Sequence, residues 1–182
     1  MELVQPIKEA DKLKNIKEAL KVLPYGERNL MMFNLGINTG MRISDILPLK
    51  VKDVRGQTHI KVREKKTKKL NQFYIGHISR MLDKYTNGMK ADDYLFPSRK
   101  GDRPITRVQA YRILNKAAEY CGYDLDIGTH SMRKTFGYHM YKGGADISEL
   151  MTIFNHSSQS ITLRYIGIER ENLDGRISGL VL

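Results

Sequence analysis

Five places in this chain carry side chains suited to chemistry at a charged oxygen: Arg42, the run Lys65-Lys66-Thr67-Lys68-Lys69, His130 with Arg133 three residues on, His156, and Tyr165. A guanidinium offers a planar, two-pronged set of donors that matches a phosphate, whereas a lysine offers a point charge without that geometry. Imidazole exchanges protons near neutral pH. A phenol, with a reference pKa of about 10, is a weak nucleophile until a base or nearby cations favour its deprotonation. Taken singly, each residue has an ordinary explanation. Arg42 would be a solvated arginine after a glycine break, and the lysines a charged hairpin tip. His130 and Arg133 would be a chance pair on one helical face, and Tyr165 a packed aromatic with its hydroxyl in water.

Order and context carry more. Thr39-Gly40-Met41-Arg42-Ile43-Ser44-Asp45, His130-Ser131-Met132-Arg133-Lys134-Thr135-Phe136, and Asn155-His156 followed by Arg164-Tyr165 resemble the signature blocks of the phage-integrase, or tyrosine recombinase, family. The resemblance runs from about Asp11 to Ile168 and includes a hairpin between the first two blocks. Every catalytic residue type of that family is present, in its order and at similar separations. The resemblance implies a site-specific DNA recombinase or integrase of the kind mobile elements use. It would cut and rejoin strands through a 3′-phosphotyrosine intermediate, for integration, excision or inversion.

The roles it implies agree with the chemistry. Arg42 and Arg133 would stabilise the negative charge that develops on the phosphate oxygens, with no metal required. Tyr165 would attack phosphorus, with His130 the natural base for its proton. A hairpin lysine would protonate the leaving 5′ oxygen. Lys66 matches best because it directly precedes Thr67, with Lys65, Lys68 and Lys69 close enough to keep that choice open. His156 would donate a hydrogen bond to a nonbridging oxygen. Asp45 would orient the site, although an ordinary helix-capping carboxylate looks the same in sequence. Two positions depart from the family pattern. Asn155 stands where glycine usually precedes the second histidine; glycine there implies a left-handed backbone, which asparagine also visits. Lys134 stands where histidine is frequent, outside the catalytic set.

A phosphotyrosine retains the energy of the broken phosphodiester, so no cofactor or metal is expected. There is no Gly-rich phosphate loop ending in Gly-Lys-Ser/Thr and no compact acidic cluster suited to two divalent ions. The expected partner is double-stranded DNA, with a synaptic tetramer assembled on it from chains that are monomers when free. Arg99, Lys100, Arg103, Arg107 and Arg112, with Lys65, Lys68 and Lys69, are expected to grip phosphates. The helix read over 106–121 is the candidate for groove contact, unless it only faces solvent. Such contacts position DNA without specifying its sequence. Two other readings share these residues: a type IB topoisomerase, which needs no second duplex, and a non-catalytic DNA-binding regulator. The block sequences favour the recombinase, and a regulator would be marked by a lost catalytic residue, which this chain does not show.

The elements that must hold these groups are mostly helical. Apolar residues at helical spacing predict helices over 7–23, 27–38, 77–86, 106–121, 130–142, 147–154 and 158–166, with a short one starting at Ser44. Residues 58–63 and 72–75 alternate in period two across a lysine-rich connection, which predicts one small antiparallel hairpin with a basic tip. The fold class expected is therefore α+β, dominated by helix.

Composition agrees with one folded unit. The 182 residues are 41% hydrophobic, with 31 Lys and Arg against 20 Asp and Glu and a formal charge of +11. That excess favours a polyanionic partner. The single cysteine, Cys121, excludes an internal disulfide or a paired-cysteine zinc site. No apolar run suits a signal peptide or a bilayer span, which leads to a cytoplasmic expectation with no membrane. One catalytic domain is expected over 1–182, lacking the N-terminal DNA-clamping domain that family members usually carry. The tail 166–182 ends in the apolar Ser178-Gly179-Leu180-Val181-Leu182. It would dock on a neighbouring protomer or fold on its own core.

Overall fold

The computed structural model describes residues 4–63, 70–124, 126–128 and 130–168. Helix α1 (Ala10–Val22) buries Ile16, Ala19 and Leu20 and packs on α2 (Gly26–Thr39) and on α5 (Arg107–Tyr120). In α2 the consecutive residues Met31, Met32, Phe33, Asn34 and Leu35 are all buried. A helix stretch buried on every side must lie inside the domain, and α2 does, touching α1, the short α3 (Ile43–Ile46), α4 (Ser79–Thr86) and α6 (Ser131–Lys142). Gly40 ends it at φ 64°, with its N–H on the Gly36 carbonyl at 3.1 Å. That left-handed turn favours glycine, and a Cβ there would also run into the Phe136 ring.

Strands β1 (His59–Arg63) and β2 (Leu70–Tyr74) pair antiparallel, with His59 opposite Tyr74 and Arg63 opposite Leu70. Ile60 and Phe73 turn inward from this ladder to the core. The expected α+β, helix-dominated class holds, with one addition. Residues 97–104, outside every helix and strand expected from the sequence, form a second hairpin of β3 (Pro97–Ser98) and β4 (Gly101–Pro104). Strands this short show no period-two pattern, so their pairing is invisible in sequence. Helix α1 also starts later than expected. Ile7 is buried, but in an extended segment whose N–H donates to Thr135 Oγ1 at 2.9 Å.

Helices α7 (Ile147–Phe154) and α8 (Gln159–Tyr165) pack on each other. Asp146 caps α7 and Ser158 caps α8, each accepting a backbone N–H of the first turn. Their apolar residues form a small second core of Leu150, Phe154 and Ile166, joined by Phe136 and Tyr165 and separate from the large cluster around α2. Gly137 lets α6 approach it. A Cβ at that position would sit 2.6 Å from Phe154 Cζ and 2.7 Å from Ile166 Cγ2. No described helix is long and apolar enough to cross a membrane.

Candidate active site

Arg133, His130, His156 and Tyr165 converge where α6, the turn after α7 and the end of α8 meet, and the charge of Arg42, at the start of α3, acts on them. Arg133 is 3% exposed. A buried guanidinium must have its charge and donors satisfied. Arg133 donates to the carbonyls of Gly40 and Ile153, so it joins the end of α2 to α7. It also lies over the Phe154 ring, 4.6 Å from the centroid, and hydrogen-bonds the Tyr165 hydroxyl.

The turn that carries His156 is set by Asn155, at φ 55° and ψ 50°. The left-handed conformation inferred from the family's glycine is therefore present here on asparagine. It closes α7 with the His156 N–H on the Met151 carbonyl at 2.9 Å. His156 Nδ1 lies 3.1 Å from Thr162 Oγ1, whose own proton goes to the Ser158 carbonyl. The imidazole is therefore the donor in that contact, and its other nitrogen is turned away from Thr162. Desolvation, with the charges of Arg133 and Arg42, holds the His156 pKa below its ordinary value.

The Tyr165 ring stands edge-on to His156 (centroids 5.0 Å, 79°) and to Phe154 (5.3 Å, 62°). Its hydroxyl lies 3.3 Å from His130 Nδ1. Burial raises the phenol's pKa, while Arg133 and Arg42 pull against that rise. His130 sits at the exposed rim, at the N-terminus of α6. Desolvation, then the charges of Arg133, Lys134, Arg107 and Arg42, lower its pKa. The imidazole is thus biased toward its neutral form beside a phenol that holds its proton. A neutral imidazole at this distance can accept a proton from the phenol.

Asp45 is buried in α3, 4% exposed, with its N–H on the Arg42 carbonyl at 2.8 Å. Arg99 and Lys100 form the exposed turn of the β3–β4 hairpin, Arg103 is exposed on β4, and Arg107 and Arg112 are exposed on α5. Lys65, Lys66, Lys68 and Lys69, and residues 169–182 of the tail, lie outside the described residues. Two features escaped the sequence reading. Arg107 acts on His130 as well as facing solvent, and Lys134 is buried against Tyr165 rather than incidental. Nothing in the spacing marks either one, since both contacts arise only once the helices meet.

Residues 8–171 match the phage integrase family. The chain belongs to the phage integrase family. It is 48% identical over 172 residues to the probable integrase/recombinase YoeC of Bacillus subtilis, covering 94% of this chain and 93% of that protein. The fold of this integrase-family domain superposes on XerA recombinase with a TM-score of 0.75 at 22% identity, over 96% of this chain and 63% of that one. It superposes on XerH site-specific recombinase bound to palindromic difH substrate in a post-cleavage complex with a TM-score of 0.73 at 21% identity, over 93% and 51%. The chain thus spans nearly all of YoeC but about half to two-thirds of the Xer chains. As a member of this family it stands with integrases and tyrosine recombinases.

Proposed function

We propose that this chain binds double-stranded DNA and cleaves one strand by attack of Tyr165 on a backbone phosphate, leaving a 3′-phosphotyrosine and a free 5′ hydroxyl. The observation that carries this reading is the Tyr165 hydroxyl held 3.3 Å from His130 Nδ1 under the charges of Arg133 and Arg42. His130 takes the phenolic proton as the P–O bond forms. Arg42 and Arg133 hold the two nonbridging oxygens as charge accumulates on them; a guanidinium has five N–H donors, enough to grip carbonyls and reach a phosphate.

His156, with one nitrogen committed to Thr162, donates to the phosphate through the other as an imidazolium, a form the incoming negative charge favours. Lys66, with Lys65, Lys68 and Lys69 beside it, is proposed to protonate the leaving 5′ oxygen, and Asp45 to hold the Arg42 turn. A 5′ hydroxyl from a second duplex then attacks phosphorus and gives its proton to the now neutral hairpin lysine, the P–O bond to Tyr165 breaks, and His130 returns its proton to the phenol. No other energy source enters. Exchange between two duplexes requires four cleavages, so the chain would assemble as a tetramer on DNA. Residues 1–182 supply the catalytic unit.

The test is incubation with nicked suicide DNA carrying a candidate recombination site. A covalent protein–DNA adduct that survives denaturant is expected from the natural chain and none from Tyr165→Phe. An adduct persisting in that variant would remove Tyr165 as nucleophile.

A further inference from the structure

Lys134 lies directly beneath the nucleophile's ring, a place where an apolar side chain would cost far less to bury. It is 5% exposed, and lysine is almost never buried unless its charge has a partner. Its Nζ is 5.3 Å from the centroid of the Tyr165 ring and donates to the Val4 carbonyl at 2.6 Å. The ammonium is therefore clamped between the ring on one side and the N-terminal segment on the other.

That segment is itself tied to the site. Ile7 N–H donates to Thr135 Oγ1 at 2.9 Å, His139 Nε2 lies 3.0 Å from the Ile7 carbonyl, and Lys8 Nζ donates to the Gly167 carbonyl at 2.8 Å, two residues beyond Tyr165. Residues 4–8 thus run along α6 and reach the end of α8, holding Lys134 where both helices face it. Among the described residues, five charged or titratable groups act on or contact His130: Arg133 and Lys134 on its own helix, Arg107 at the start of α5, Arg42 before α3, and Tyr165 on α8. Lys134 also lies over the Tyr165 ring face.

We propose that Lys134 is a positioning residue for strand cleavage, whose ammonium group, fixed by the Val4 carbonyl, holds the face of the Tyr165 ring and presents a positive charge to His130. The inference rests on the reading of Tyr165 as nucleophile and His130 as its base. A cation over an aromatic face is attracted by the ring's quadrupole and restrains the ring. The same charge opposes protonation of the neighbouring imidazole, keeping it able to accept the phenolic proton as pH falls.

The test compares the unsubstituted sequence with Lys134→Met, which keeps the length and loses the charge, and with Lys134→Arg, which keeps the charge. The readouts are the His130 titration by NMR without DNA, the pH dependence of adduct formation, and DNA affinity. With Met, His130 should titrate at higher pH. Adduct formation should fall by roughly tenfold at pH 6 but by less than about threefold at pH 8, with affinity unchanged, and Arg should restore the profile. A loss equal at every pH with an unmoved His130 titration, or no loss at all, overturns the proposal. Should Met prevent folding, Lys134→Gln makes the same comparison; if neither folds, Lys134 is a structural residue and the proposal fails. Failure of the wider reading is separate, being scored by adducts that persist in Tyr165→Phe.

Discussion

The phenol and the imidazole at the centre of the site are set against each other by their surroundings. Burial keeps the proton on Tyr165, while desolvation and four nearby cations keep it off His130. A base must be neutral to act, and the His130 pKa is lowered from its ordinary 6.5. Activity under this control is therefore present above the lowered pKa and lost only as pH falls through it. Single-turnover cleavage at sub-saturating DNA should hold its rate down through pH 6.5 and decline below; an acid limb centred above 6.5 would contradict the assignment of His130 as base. The two arginines separate in a different way. Arg42→Ala should lower adduct formation by roughly 100- to 1000-fold with DNA affinity nearly intact, the pattern of lost transition-state stabilisation. Arg133→Ala should do the same and also destabilise the fold by about 1–3 kcal/mol, seen as a lower Tm, because it strands the Gly40 and Ile153 carbonyls. Sequence marked these groups as candidates through their types and order. It could not show that Arg133 is also a structural tie, because both carbonyls it holds come from distant parts of the chain.

Elements were legible where a long helix exposes one polar face, as in α1 and α5, or where flanking punctuation is strong, as at Asp146 and Ser158. They were not legible where tertiary contacts decide. The β3–β4 hairpin has strands of two and four residues, and Ile7 is buried by packing against α6 rather than by belonging to a helix. The Asn155 turn is the informative middle case: one unusual residue in a familiar motif predicted a backbone angle, and φ is 55°. Its consequence can be measured. Asn155→Gly should leave stability within about 1 kcal/mol and activity near the natural level, since glycine adopts this conformation without strain. Asn155→Val should cost about 1–2 kcal/mol in thermal or denaturant unfolding and reduce cleavage, because the β-branched side chain opposes the left-handed turn that aims His156. Equal stability of the two variants would mean that the turn is held by something other than its own backbone preference.

At the scale of the molecule, part of the exposed positive charge lies on the elements beside the site. Arg99, Lys100, Arg103, Arg107 and Arg112 are exposed on the second hairpin and the adjoining start and face of α5, and Arg107 is near enough to His130 to influence its ionisation. A phosphate backbone drawn along this surface would therefore lead toward the site. The β3–β4 hairpin, which the sequence did not reveal, gives the first three of these residues a paired-strand platform. Each neutralised phosphate releases condensed counterions, so log affinity falls with log salt at a slope of about −0.9 per contact on duplex DNA. Replacing Arg103 or Lys100 with Ala should weaken binding alike across unrelated DNA sequences and make the salt slope shallower by about 1 for each contact removed. Salt-dependent fluorescence anisotropy on two duplexes of different sequence measures both quantities. An unchanged slope would place the DNA on another face of the protein, while weakening confined to one sequence would make these residues readers of bases rather than grips on the backbone.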